Sequence, residues 1–537
     1  MTVRRSVLQA AALITVLTVL ARATGFVRSL VLARTVGFNC LADSYTTVNT
    51  VPNIMYEIVA GGALASLVVP LLAGAADQHD RDVVDRAASA LLTWTVLVLV
   101  PLTVLVLVLA HPISAALLAG KGQECVGSVD VASSMLRLFA PQVLLYGIGV
   151  VLTGILQAHH RFMGPALAPL LSSLVVIASY LAFAAIARRG TDVGTVTSTE
   201  QLVLAGGTTL GVVVLSLPLL VPTWRAGVRL RPRLSFPVGL SASARHLALA
   251  GIATLTAQQV SVVVALRLAN SSGAPPGTAA AFFQAQTIYL LPWAILAVPV
   301  ATTVFPRLAG HTARGDAPAY ARDLSGATRF VLVLSCAASA VLVATANPVA
   351  RVIAQVAPGR PSVVTIQHGI IAFAIGLAGY GVFAVVSRAL YAAGRARLAT
   401  TVIVSGWVTV MVGDVVISAL APATERVAAL GAGNSAGMVV TGAGLLLALR
   451  GVAPGVIRDI VRLLLAGLVA AAVAAAVGLV AASTLTGGGV PAAVGQAVVI
   501  AVVTSGVFAA ATTLLARRPV TEAWQVLRGR TPGGADA

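Results

Sequence analysis

The chain has 537 residues, of which 58% are hydrophobic and 10% are charged, and its mean hydropathy is +0.96. This balance excludes a soluble globular protein. The net charge of +18 comes almost entirely from arginine, since Lys121 is the single lysine. In a membrane protein such an excess indicates orientation in the bilayer and contact with anionic lipid, not nucleic-acid binding.

Long apolar runs recur along the whole chain and predict an all-α polytopic membrane protein. The runs are continuous and do not alternate with polar residues, which argues against a membrane β-barrel. The connecting loops are short, so we expect no catalytic domain and no enzymatic activity. Fourteen transmembrane spans are predicted, at about 7–33, 45–72, 87–110, 132–157, 164–186, 202–222, 246–268, 277–305, 328–348, 366–387, 399–421, 428–449, 461–483 and 490–515.

The first span resembles a secretory signal peptide. Its apolar pattern continues to about Ala33 without a small-residue cleavage site followed by a polar domain, so we predict a retained helix. If the N-terminus is cytoplasmic and the spans alternate, most of the arginines fall in cytoplasmic segments, as the positive-inside rule requires. Both termini are therefore predicted to be cytoplasmic, in a multi-pass protein of the plasma membrane.

The stretch 19–74 is apolar enough to cross a bilayer twice, yet it carries Arg22, Arg28, Asp43 and Glu57. A charge at membrane depth costs about 2.5–3.5 kcal/mol, so such residues usually line a cavity or a substrate path. Arginine presents a planar fork that suits phosphate. These residues predict a cationic chamber for an anionic head group, for which a pyrophosphate is a good match. The alternative is that the arginines form structural ion pairs with the two acids.

Three residues in these apolar segments, Gly25, Pro52 and Pro292, are candidate hinges. The case for Gly25 comes from its neighbours: Arg22 and Arg28 are separated by about 120° and 9 Å on a straight helix, so they do not share one face. Gly25 between them offers a break that turns both arginines inward. Pro52 in the second span and Pro292 in the eighth each remove a backbone hydrogen bond and predict kinks.

An internal repeat predicts two halves. Residues 63–82 resemble residues 297–316 when Pro70 is aligned with Pro306, and both copies run in the same direction. The sequence therefore predicts two six-helix lobes plus two C-terminal helices. The predicted divisions are an N-lobe at 1–225, a basic cytoplasmic linker at 226–245, a C-lobe at 246–450, two last spans within 451–516 and a cytoplasmic tail at 517–537. The linker is either a hinge between the halves or a topogenic loop near anionic lipid.

Asp414 is the only acid in the middle of the second half. A buried carboxylate there is protonated, paired or an ion ligand, and Thr409 and Asn434 are candidate oxygen donors to a coupling sodium ion. The alternative is a polar packing contact. No P-loop or metalloprotease motif is present, so we predict no cofactor other than a possible Na+ ion, with the membrane potential as the other source of coupling.

The three cysteines, Cys40, Cys125 and Cys336, have no metal-ligand spacing. Cys40 and Cys125 both fall in segments predicted to lie outside, where a disulfide can form. Two unpaired small residues are the simpler expectation.

Several motifs together resemble the MurJ (MviN) lipid II flippase family of the MOP exporter superfamily. They are ARATGFVRSLVLARTVGF at 21–38, LADSY at 41–45, TVPN at 50–53, AGGALASLVVPLL at 60–72 and GILQAHHRFMGPALAPLLSSLVVI at 154–177. The resemblance covers nearly the whole chain. It implies two lobes around a cationic cavity, with the last two spans forming a groove for a lipid tail.

The resemblance also implies the function and the site. Members carry undecaprenyl-pyrophosphate-linked peptidoglycan precursor, lipid II, from the inner to the outer leaflet for cell wall synthesis. It implies lipid II or a related polyprenyl-pyrophosphate lipid as cargo, with membrane phospholipids and other cell wall synthesis proteins as candidate partners. Arg22, Arg28 and Asp43 stand where the family has essential charged residues, and Asp414 stands near a sodium ligand of some members. We add Asn53, Glu57 and Arg267 to the predicted cargo-binding residues.

The chain departs from the family pattern at three places. Tyr56-Glu57 stand where the family usually has a basic pair, Gly61 stands where an acid is usual, and Gln286-Thr287 precede Pro292 where an arginine is usual. A divergent paralogue is therefore an alternative. It would export another polyprenyl-linked oligosaccharide or act as a non-transporting scaffold for envelope synthesis.

Overall fold

The computed structural model describes residues 2–58, 81–121, 124–235, 242–359, 361–485 and 487–515, with side chains omitted at 2–15, 81–84 and 242–250. Throughout these residues the regular structure is helical, without strands. Within the described part of the chain, twelve helical segments are long and apolar enough to cross a membrane, and counting the bent pair Val363–Ala374 and Leu377–Ala392 as one crossing gives thirteen. An all-helical multi-pass membrane protein is thus confirmed. The second predicted span is described only to residue 58, so the count of fourteen stays a prediction.

The first of two compact units comprises Met1–Ala280 with Ala357–Gly359. A π-helical turn, Leu202–Gly206, and a 3-10 turn, Leu217–Leu219, interrupt the sixth predicted span. The helices of this unit are α1 (Thr2–Thr35), α2 (Cys40–Tyr56), α3 (Arg81–Val108), α4 (Ala110–Leu118), α5 (Ser128–Phe139), α6 (Pro141–Ala158), α7 (Met163–Ile186), α8 (Ser198–Gln201), α9 (Gly207–Ser216), α10 (Leu220–Arg225), α11 (Ala242–Ala269) and the start of α12 (Thr278–Pro292).

Local sequence signals set where these helices begin. Asn39 accepts a hydrogen bond from the Ala42 N–H and caps α2, while Thr197 and Glu200 form a capping box at α8. Packing then orders them: α1 lies along α7, α2 against α5, and α3 against α6. The buried core of this unit includes Tyr45, Phe139 and Phe183. Apolar side chains on the outer faces, such as Val104 and Leu105 of α3, stay exposed, as a bilayer-facing helix requires.

The second unit comprises Ala281–Val356 and Arg360–Ala537. The 40-residue α14 is its axis and contacts α13, α15, α16, α19 and α20. Small residues let α17 and α18 approach closely, because Gly413 and Gly433 face each other. The helices that follow α12 are α13 (Val298–Arg314), α14 (Ala317–Val356), α15 (Val363–Ala374), α16 (Leu377–Ala392), α17 (Ala396–Leu420), α18 (Arg426–Ala448), α19 (Pro454–Thr484) and α20 (Val490–Leu515).

The predicted lobe boundaries and the internal repeat remain predictions. The first copy of the repeat, including Pro70, lies outside the described residues except at its end. The second copy falls in α13, which contains Pro306. The two last predicted spans are α19 and α20, and both pack on α14.

Candidate functional site

The two arginines of α1 differ in environment. α1 is helical without interruption from Thr2 to Thr35, so the break predicted at Gly25 is absent in this conformation. Because an unbroken helix turns by about 100° per residue, Arg22 and Arg28 project in different directions. Arg22 is exposed, whereas Arg28 is half-buried. Neither arginine belongs to an ion pair among the described residues, so the alternative of structural pairs with Asp43 or Glu57 is not supported here.

Arg28 lies within electrostatic range of a polar group of α6 that bonds to α2. Its guanidinium acts electrostatically on the Tyr146 phenol, which donates a 2.9 Å hydrogen bond to the Asn53 side-chain oxygen. The rings of Tyr56 and Tyr146 have centroids 4.7 Å apart, and Glu57 adds its charge at the same place. We call Arg28, Asn53, Tyr56, Glu57 and Tyr146 the Arg28–Tyr146 cluster. The structure thus joins three predicted residues, Arg28, Asn53 and Glu57, through a tyrosine that sequence analysis missed.

A buried network of hydroxyl hydrogen bonds lies near this cluster. The Tyr45 hydroxyl lies 2.8 Å from the hydroxyls of both Tyr180 and Thr208, and the Thr208 hydroxyl donates to the Leu204 carbonyl. Arg28 also acts electrostatically on Tyr45 and Tyr180. Buried polar groups that are mutually satisfied hold one geometry, so this network fixes the positions of Tyr45 and Tyr180 within electrostatic range of Arg28.

Asp43 does not face this cluster. It is 1% exposed, and its carboxylate accepts a 2.7 Å bond from the Lys121 ammonium. It also accepts from the Gly277 N–H at 2.8 Å and the Ala280 N–H at 3.0 Å, which are free donors at the start of α12. Lys121 donates in addition to the Pro275 carbonyl at 2.8 Å. In this conformation Asp43 is therefore a helix-capping structural group, not one open to a cargo.

A disulfide lies close in sequence to the Asp43–Lys121 ion pair. Cys40 and Cys125 are bonded, with their Cα atoms 5.6 Å apart, so the expectation of two unpaired cysteines is wrong. The bond ties the loop that carries Lys121 to the first residue of α2, only three residues from Asp43. Sequence analysis missed Lys121 as a partner, although a lone lysine among arginines was a usable signal. We call Cys40, Asp43, Lys121, Cys125 and the start of α12 the outer latch.

The remaining predicted residues of the cargo site are dispersed. Arg267 is exposed in the last turn of α11, one turn before Asn270, whose amide donates to Thr47 at the outer latch end of α2. Pro52 is buried inside α2, which continues to Tyr56. Pro292 is the last residue of α12, and a π-helical turn, Trp293–Ala297, follows it. Such turns often mark functional sites, so the change of helix type falls where a hinge was predicted.

Asp414 lies in the second unit, on α17, and is 1% exposed. One of its carboxylate oxygens has no hydrogen-bond partner among the described residues. A Cβ at Gly433 would overlap this carboxylate, so α18 approaches it closely. The Thr409 hydroxyl donates a 2.9 Å hydrogen bond to the Ser405 carbonyl of its own helix, and its place in a sodium site stays a prediction. Among the described residues no group of three or more acidic, histidine or cysteine side chains gathers to hold a metal ion.

The arrangement in the first unit places a cationic side chain among polar groups. Arg28 is a half-buried guanidinium with no hydrogen bond of its own among the described residues, and the cluster around it holds two phenols, an amide and the Glu57 carboxylate. A guanidinium in such surroundings binds phosphate through two parallel N–H donors. The group that sequence analysis could not place, Tyr146, supplies the polar wall.

Comparison with known proteins agrees with this architecture. A protein of Rhizobium meliloti (strain 1021) named "Probable lipid II flippase MurJ" is 25% identical over 366 residues, 66% of this chain and 65% of that protein. A solved structure titled "Lipid II flippase MurJ, inward closed conformation" has a TM-score of 0.72 at 17% identity, over 95% of this chain and 100% of that one.

A multidrug resistance MATE family transporter of the MOP superfamily, in an inward-facing conformation, has a TM-score of 0.61 at 15% identity, over 83% of this chain and 95% of that one. At these identities both structural likenesses concern the fold. The family model described as "Lipid II flippase MurJ" matches residues 32–500, most of the chain. The chain therefore belongs to the lipid II flippase MurJ family.

Proposed function

We propose that this chain is a flippase that moves lipid-linked peptidoglycan precursor, undecaprenyl-pyrophosphate-linked lipid II, from the inner to the outer leaflet for cell wall synthesis. It is a transporter and not an enzyme. The family match supports the cargo class, and the likeness of the fold to transporters solved in inward-closed and inward-facing conformations supports alternating access. We further propose fourteen spans, two six-helix lobes and cytoplasmic termini in the cytoplasmic membrane.

The single observation that carries this proposal is the uncommitted guanidinium of Arg28. Holding a charge at membrane depth costs about 2.5–3.5 kcal/mol, and neither an ion pair nor a hydrogen bond among the described residues offsets this cost for Arg28. Binding a diphosphate would offset it. The hydrogen bond between Tyr146 and Asn53 holds these two polar groups within electrostatic range of Arg28, where they would add to the binding of the head group.

Energy for outward transport is proposed to come from two sources. An inside-negative potential favours outward movement of an anion by about 2.3 kcal/mol per charge per 100 mV. A sodium ion at Asp414 would add to this, since a buried carboxylate with a free oxygen suits a hard cation. Asn434, one residue after Gly433 on α18, is the second proposed oxygen donor. The competing role for Asp414 is a polar packing contact, which would leave transport independent of sodium.

The departures at Tyr56-Glu57 favour a second candidate. Glu57 brings a negative charge to the Arg28–Tyr146 cluster where the family usually has basic residues. An altered cluster suits another polyprenyl-linked oligosaccharide, and loss of transport altogether would leave a scaffold for envelope synthesis.

The test is complementation of a strain depleted of its own lipid II flippase, with lipid II assayed directly on the outer leaflet. We expect the chain to restore outer-leaflet lipid II. Arg28→Gln should abolish this, while Arg28→Lys should restore part of it, because lysine keeps the charge but not the fork. Arg34→Gln, an exposed arginine six residues further along α1, is the matched control.

Three outcomes separate the candidates. Growth without outer-leaflet lipid II would indicate the scaffold. Restored envelope growth with a different polyprenyl lipid outside would indicate the other cargo. Full activity of Arg28→Gln would refute transport through the Arg28–Tyr146 cluster.

A further inference from the structure

The basic segment after α10 is fixed along a helix. Residues 228–235 run alongside α3. The Arg229 backbone N–H donates to the Asp85 carboxylate at 3.1 Å, and those of Arg231 and Arg233 donate to the Ser89 and Thr93 hydroxyls, each at 3.0 Å. The Trp94 indole donates to the Leu234 carbonyl at 3.0 Å. We call residues 228–235 the basic strip.

The geometry explains this regular docking. The acceptors recur every four residues on one face of α3, a step of about 6 Å, and the donors recur every two residues of the strip, a step of about 6.6 Å if it is extended. Pro232 falls between two donors, where no N–H is needed. Val228 and Leu230 pack on the α3–α6 core, while Arg229, Arg231 and Arg233 are exposed.

Among the described residues the arginine side chains of the strip form no ion pair. None of the three belongs to an ion pair or to a side-chain hydrogen bond among the described residues. Asp85, the nearest acid on α3, accepts from the Arg229 backbone. Three guanidinium groups therefore stand in a row about 13 Å long if the strip is extended, which exceeds the reach of one diphosphate.

The disulfide fixes which side of the membrane the strip faces. Disulfides persist on the oxidising side, so Cys40 and Cys125 lie outside. Asp85–Val108 crosses the membrane between the strip and the outer latch, a path of about 36 Å. The strip is therefore on the cytoplasmic side.

Three apolar side chains mark the depth of the strip. Trp224 is 77% exposed just before it, Leu234 is 63% exposed at its end, and Trp94 is 40% exposed where it bonds to the strip. Tryptophan collects at the level of the lipid head groups. Side chains at this level meet lipid phosphates and not a soluble macromolecule.

We propose that Arg229, Arg231 and Arg233 form a preorganised binding strip for the phosphates of anionic phospholipids in the cytoplasmic leaflet. Docking on α3 holds the backbone before any lipid arrives, so less ordering entropy is lost on binding. This proposal does not depend on the cargo of the protein.

The test uses the purified full chain in detergent, with phosphatidylglycerol and phosphatidylcholine of identical acyl chains counted on the protein by native mass spectrometry. We expect preferential retention of phosphatidylglycerol. The triple variant R229Q/R231Q/R233Q should lose about fivefold in this preference for each arginine replaced. The matched control R322Q/R395Q/R397Q removes three other exposed arginines and should change little.

A second variant tests the docking. S89A/T93V keeps every arginine but removes two anchors, and it should lose part of the preference while its thermal unfolding stays cooperative. If the arginine triple variant keeps its preference for phosphatidylglycerol, or if the control variant loses as much, the assignment of lipid binding to Arg229, Arg231 and Arg233 is overturned. Unchanged preference in S89A/T93V would overturn preorganisation. Displacement of the lipid by millimolar inorganic phosphate would show a soluble-anion site and overturn the assignment to lipid.

Discussion

Replacing Lys121 by methionine tests the outer latch most directly. The substitution keeps the length of the side chain but leaves the buried Asp43 carboxylate without its 2.7 Å partner. Removing one member of a buried ion pair typically costs 3–5 kcal/mol, because the remaining charge is uncompensated. Asp43 keeps two backbone N–H donors from the start of α12, so we expect the lower end, about 3 kcal/mol.

The measurement is the free energy of unfolding of the purified chain in mixed micelles, by titration with a denaturing detergent followed by circular dichroism. Arg188→Met is the matched control, since Arg188 is exposed in the same unit and its loss should change stability by less than about 0.5 kcal/mol. The double variant D43N/K121M should be less destabilised than K121M alone, because it removes both charges. A cost below about 1 kcal/mol for K121M would contradict the latch.

Three further predictions concern other contacts. Cys125→Ser should destabilise the chain by about 2–5 kcal/mol in the same titration, and reductant should abolish the difference from the wild type; an unchanged midpoint under oxidising conditions would contradict this. Tyr146→Phe should lower outer-leaflet delivery of lipid II while costing only about 0.5–1.5 kcal/mol of stability, measured in parallel; unchanged delivery would remove the tyrosine from the site. Gly433→Ala should cost about 1–3 kcal/mol by overpacking against Asp414, whereas Gly495→Ala, where a Cβ meets open space, should be neutral or stabilising; equal effects would contradict the close approach of α17 and α18.

Local pattern was enough to predict the helices. In hydrocarbon every backbone N–H and C=O must be satisfied within its own segment, so a long apolar run forms a helix whatever its neighbours do. The predicted third span at 87–110 is thus found as Asp85–Val108 and the last at 490–515 as Val490–Leu515. Breaks within spans were less predictable, because whether Gly25 bends α1 depends on packing, and α1 runs through it unbroken.

The candidate site was predicted only in part. Arg28, Asn53 and Glu57 stand out because polar residues in an apolar segment are costly. Tyr146 does not, since an aromatic residue in a transmembrane helix is ordinary, and only its 2.9 Å bond to Asn53 gives it a place in the site. Asp43 gave the same signal as Arg28, a charge in an apolar segment, yet the fold pairs Asp43 with Lys121 and leaves Arg28 without an ion pair among the described residues.

The sequence by itself determined the fold class, the family and which charges had to be explained, because composition, periodicity and motifs are local properties. Tertiary structure alone decided how those charges are matched. Lys121 reaches Asp43 across 78 positions, Cys125 reaches Cys40 across 85, and the basic strip reaches Asp85 across 144. Such pairings depend on which helices pack together, and packing is a property of the whole folded unit.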